Sequence, residues 1–80
     1  LVTERCITVN GYRFHFYASD KDEPPHVHVS RGEGYAKIWL EPNIEPQYFY
    51  KYKAREQREI AKIAEENADY LKEKWYDFFK

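Results

Sequence analysis

From Ala54 to Lys80 the chain contains neither glycine nor proline. Within that stretch Ile60, Ile63, Ala64, Asn67, Leu71, Trp75 and Phe78 recur at spacings of three and four. At about 100° per residue they fall in one narrow sector of a helix. Arg58, Lys62, Glu65, Glu66, Asp69, Lys72 and Glu73 occupy the opposite side. The pattern predicts one long amphipathic helix over about 54–79. Such a helix is roughly 39 Å long at 1.5 Å per residue, whereas a six-residue strand covers about 20 Å. It must overhang the sheet it packs on, bend, or pack its far end elsewhere. Asn67, the polar member of the stripe, is the expected place for a bend or a buried hydrogen bond.

The preceding residues are cut into short pieces by turn signals. Asn10-Gly11 takes positive φ readily, as a tight hairpin requires, and separates strands at about 4–9 and 12–18. Residues 19–25 are polar and end in Pro24-Pro25, which marks a loop. Alternation resumes over 26–30, Arg31-Gly32-Glu33-Gly34 turns the chain, and residues 35–41 form a further strand. Pro42 stops it, and Pro46 is expected to keep the next stretch irregular. Residues 47–52 read as an edge strand or an aromatic loop. The prediction is a single α+β domain over residues 1–80: an antiparallel β-meander of three to five strands with the helix on one face. A chain of 80 residues buries a modest share of its surface, so large side chains must supply the core. Its 8 Tyr, 5 Phe and 2 Trp do so, and they exclude a disordered tail.

Strand alternation sorts these side chains onto two faces. Tyr12, Phe14, Phe16, Val27, Val29, Ala36, Ile38 and Leu40 share one, the natural floor for the helix stripe. The other collects Arg13, His15, Tyr17, His26, His28, Ser30, Lys37, Trp39 and Glu41, including all three histidines. His26 and His28 lie two apart, so both rings point the same way about 6–7 Å apart. With His15 from the next strand and Glu23 or Glu41 as a fourth donor, they have the composition of a zinc site. The same histidines can act as metal-free acid or base groups. Arg13 and Lys37 could hold a phosphate, and Tyr17 and Trp39 could stack a base. A plain sheet face that meets another protein accounts for the same residues.

Formal net charge is −1, which gives no bulk attraction to nucleic acid or anionic membrane. The lone Cys6 cannot make an internal disulfide, and no apolar run approaches the roughly 20 residues of a membrane span. No basic-then-apolar leader is legible, so the expectation is a cytoplasmic protein with no membrane contact and no cofactor. Lys51, Lys53, Arg55 and Arg58 cluster where positive charge opposes the helix dipole. They serve a partner or simply face solvent. Trp75, Tyr76, Phe78 and Phe79 make the distal helix dense in aromatics, a surface through which two copies could associate.

The segment Glu23-Pro24-Pro25-His26-Val27-His28-Val29 resembles the bacterial domain-of-unknown-function 4160 family. Gly11-Tyr12-Arg13-Phe14, Ala36-Lys37-Ile38-Trp39-Leu40 and Glu73-Lys74-Trp75 extend the resemblance over about residues 7–79. It implies a small component of a toxin–antitoxin-like two-gene module, acting on a protein partner encoded nearby or on RNA through the histidine face. It assigns no catalytic residue. The chain departs from the family pattern at Lys51-Tyr52-Lys53, where a serine would cap the helix, and at Gln57, where an apolar residue is expected. Lysine cannot accept the N–H bonds of a helix start, so the helix is expected to fray or begin late.

Overall fold

The computed structural model describes residues 3–80, with side chains described from Ile7 onward. Among the described residues five strands run in order: β1 Thr3–Val9, β2 Tyr12–Tyr17, β3 His26–Arg31, β4 Gly34–Trp39 and β5 Glu45–Tyr50. A short 3-10 helix, Ala18–Asp22, links β2 to β3. Two α-helices follow, α1 Ala54–Glu66 and α2 Ala68–Phe78. Each strand pairs antiparallel with its neighbour in sequence, so the five form one meander. Asn10 (φ 52°) and Gly11 (φ 81°) make the β1–β2 turn in the left-handed conformation that Asn-Gly adopts at low cost.

The apolar face is the expected one. Tyr12, Phe14, Phe16, Val27, Val29, Ala36, Ile38 and Leu40 are fully buried. Ile60, Ile63, Ala64, Leu71 and Trp75 close over them from the helices. Trp75 sets its ring edge-on to Phe16 at 5.3 Å. The Tyr12 hydroxyl donates to Glu59 Oε1 at 2.9 Å, which ties the first strand pair to α1.

Three expectations need correction. The single long helix is two helices, divided at Asn67. Its Nδ2–H donates to the Ile63 carbonyl at 2.9 Å. An amide side chain that bonds back one turn offers the backbone an alternative to continuing the ladder. Asn67 itself leaves helical dihedrals, with φ −112° and ψ 18°. The helix also begins on time, at Ala54, because the Glu56 carboxylate accepts the Lys53 N–H at 2.8 Å. Gln57 Nε2–H donates to the Tyr52 carbonyl at 2.9 Å, so its polarity is used. Finally, Pro46 lies inside β5, opposite Ile38 at a register shift. An edge strand tolerates the missing N–H there.

Phe79 packs on Trp75 at 4.2 Å between ring centroids, although its position lies off the centre of the stripe. Tyr76 stays exposed and donates its hydroxyl to the Glu41 carboxylate. Gly34 faces the Tyr52 ring so closely that a Cβ at this position would overlap it.

Candidate functional site

The residues 19–25, expected to be a plain loop, carry the least anticipated feature. The 3-10 turn folds Asp20 back against the end of β2, where the Tyr17 N–H donates to its Oδ2 at 2.9 Å. Asp20 is buried with His26 and His28. The same Oδ2 lies 3.0 Å from His28 Nε2 and 3.3 Å from His26 Nε2. One oxygen thus meets both rings of the His-x-His pair. The three side chains offer donor atoms that all lie within 4.8 Å of one another.

The far side of each ring is held as well. His26 Nδ1–H donates to the Pro24 carbonyl at 2.9 Å, so the double proline fixes that ring's orientation. His28 Nδ1 lies 2.9 Å from the Tyr35 hydroxyl. Tyr35 donates to the Tyr17 hydroxyl at 3.3 Å, and Tyr17 lies 3.2 Å from His15 Nε2. Burial pushes the His28 imidazole down to about 4, against the opposing pull of Asp20, so it is neutral near pH 7. Burial, and then the bond to Tyr17, raise the Tyr35 hydroxyl above the usual phenol range.

Of the residues singled out from sequence, His26 and His28 come together and His15 takes another place. It pairs with His28 across the strands, and its ring stacks on that of His28 at 5.9 Å. A stacked ring presents its face rather than its nitrogens. The two acidic candidates are engaged elsewhere. Lys37 Nζ donates to Glu23 Oε1 at 2.6 Å and holds that carboxyl below the usual range, while Glu41 receives Tyr76. Trp39 closes one side of His26, with ring centroids 5.4 Å apart, and Lys37 Nζ sits over the Trp39 ring. Arg13 is exposed on the same face, two residues from His15.

Sequence reasoning missed Asp20 and Tyr35. A carboxylate four residues before a Pro-Pro-His-x-His run was a legible signal for the first. The register of β3 against β4, which sets Tyr35 opposite Ser30, was needed for the second.

A second feature lies at the rim of this face. β5 pairs with β4 alone among the described strands, so its outer backbone edge closes the sheet. Tyr48 and Tyr50 are 43% and 56% exposed there. The Tyr48 ring stacks on Tyr35 at 6.3 Å, which joins the edge to the polar cluster.

No helix among the described residues is long and apolar enough to cross a membrane. A family model described as a domain of unknown function, DUF4160, matches residues 11–76. No curated protein and no solved structure matches the chain.

Proposed function

The chain belongs to the DUF4160 family, and we propose that it works as the protein-binding half of a two-gene, toxin–antitoxin-like module, taking a strand of its partner along β5. The carrying observation is the edge itself: a strand paired on one side only, with two exposed tyrosines beside it. An unpaired edge offers backbone donors and acceptors in register, and neighbouring side chains add selectivity. Tyrosine supplies contact area with little rotamer entropy to lose.

Charge favours protein over RNA as the partner. Lys37 is already paired with Glu23, and Lys51 with Glu33. Net charge is −1. Phosphate binding depends on cations free to release counterions. Association of two copies through the C-terminal aromatics is also less favoured, because Trp75, Phe78 and Phe79 all pack around Phe16 of the same chain.

The test is co-expression with the product of the neighbouring gene, followed by hydrogen exchange on the purified complex. The expected result is a stable complex in which the amides of β5 are protected, and its loss in the double variant Tyr48→Ala, Tyr50→Ala. Protection confined to α2, or a complex indifferent to both substitutions, would replace the edge with another surface. Co-purifying RNA released by salt would favour the nucleic-acid alternative.

A further inference from the structure

We infer that Asp20, His26 and His28 form a binding site for one divalent transition-metal ion of zinc-like preference, independent of what docks on β5. The ring protons and the donor spacing decide what this buried space can hold. The Pro24 carbonyl can only accept, so His26 carries its proton on Nδ1. Its Nε2 then presents a lone pair. That nitrogen is buried, has no hydrogen-bond partner among the described residues, and lies 3.3 Å from Asp20 Oδ2.

His28 is tied into the same space. Its Nε2 is hydrogen-bonded to Asp20 Oδ2 at 3.0 Å and its Nδ1 to the Tyr35 hydroxyl at 2.9 Å. A cation entering between the two rings and Asp20 displaces whatever proton bridges His28 and Asp20 and gives His26 Nε2 the partner it lacks. An unpartnered imidazole lone pair, a second ring nitrogen and a carboxylate thus converge in a buried space, an arrangement that suits a cation.

Two of the three spacings match a tetrahedral ion as they stand, and the third, between the two ring nitrogens, lies within 4.8 Å. Two ligand atoms each about 2.0–2.1 Å from a tetrahedral ion stand about 3.3 Å apart. The nitrogen-to-oxygen distances here are 3.0 and 3.3 Å. Both histidines also have the outer support that metal-bound imidazoles use, a backbone carbonyl for one and a hydroxyl for the other. Two nitrogens and one oxygen suit zinc and its divalent neighbours, whereas calcium and magnesium prefer all-oxygen sites. With three protein ligands, a fourth position falls to water or to a group from outside.

The experiment titrates metal-stripped full-length chain with Zn(II) against a chromophoric chelator, and follows the histidine ring nitrogens by NMR. The expected result is one equivalent of zinc, four-coordinate absorption bands when Co(II) replaces it, and a coordination shift at Nε2 of His26 and His28 only. Asp20→Asn should weaken binding by tenfold or more. Tyr35→Phe should weaken it about tenfold through loss of ring support. If Asp20→Asn fails to fold, the wild-type nitrogen shifts decide the matter alone. Absence of zinc uptake, with a proton found on His26 Nε2, would overturn the inference and make the cluster an imidazolium–carboxylate pair. Uptake that shifts His15 instead, or that is unchanged in a folded Asp20→Asn variant, would also overturn it.

Discussion

The two faces of the sheet are made by alternate residues of the same strands, yet they are built on opposite principles. Beneath, Tyr12, Phe14, Phe16, Val27, Val29, Ile38 and Leu40 meet the helices in a non-directional apolar core. Above, Asp20, Tyr17, His26, His28 and Tyr35 are joined by directional bonds, with Trp39 packed at the side. The lower face tolerates changes that conserve volume and shape. The upper face holds its geometry only while each donor meets an acceptor. Apolar packing is therefore concentrated on one side, and hydrogen-bonding side chains on the other.

The sharpest way to break this division is Trp75→Ala. Trp75 belongs to the lower face but also touches His26, with ring centroids 5.1 Å apart. Truncation of a buried tryptophan costs about 3–5 kcal/mol, in a domain whose total stability is on the order of 5 kcal/mol. Urea unfolding should find the variant largely unfolded or barely stable. A stable Trp75→Ala monomer would move this residue from the core to an interface.

Gly34→Ala is next, at about 1–3 kcal/mol for an overpacked contact. The added methyl runs into the Tyr52 ring. Thermal melts should show the loss, and the double variant Gly34→Ala, Tyr52→Leu should recover part of it. No recovery would place the cause in the backbone of the β3–β4 turn.

Tyr12 gives the comparison a pH axis. Burial, and then the bond to Glu59, push its hydroxyl up to about 12, against about 10 in an unfolded chain. The folded state holds this proton longer. Its contribution is complete below pH 10 and is lost as pH rises through the folded value. Melting temperature should fall over that window, and less steeply in Tyr12→Phe. The smallest effects belong to the rim. Tyr48→Ala and Tyr76→Ala should each change stability by well under 1 kcal/mol, although Tyr76 gives up its bond to Glu41. A larger loss at Tyr48 would mean that its stacking on Tyr35 supports the polar cluster.

The lower face was legible because burial obeys periodicity. Residues two apart on strands and three or four apart on helices declared themselves without any knowledge of their partners. The helix break was legible as to place, through Asn67, but not as to outcome. Whether an amide bends a helix or merely hydrogen-bonds within it depends on what lies beyond the sheet. The upper face was half legible. Alternation brought His15, His26 and His28 to one side, but Asp20 reaches them only through a 3-10 turn, whose dihedrals no spacing rule reports. His15 was set aside by ring orientation, which belongs to rotamers rather than to sequence.

Both tryptophans of the chain lie against the same imidazole, that of His26: Trp39 at 5.4 Å and Trp75 at 5.1 Å between ring centroids. Indole emission responds to a charge or an ion placed at ring-contact distance. The ultraviolet fluorescence of this protein is therefore a built-in optical gauge of His26. Its intensity and wavelength should follow the protonation or ligation of that ring in real time, in the unlabelled wild-type chain. Replacing either tryptophan with phenylalanine would assign the signal to one flank or the other.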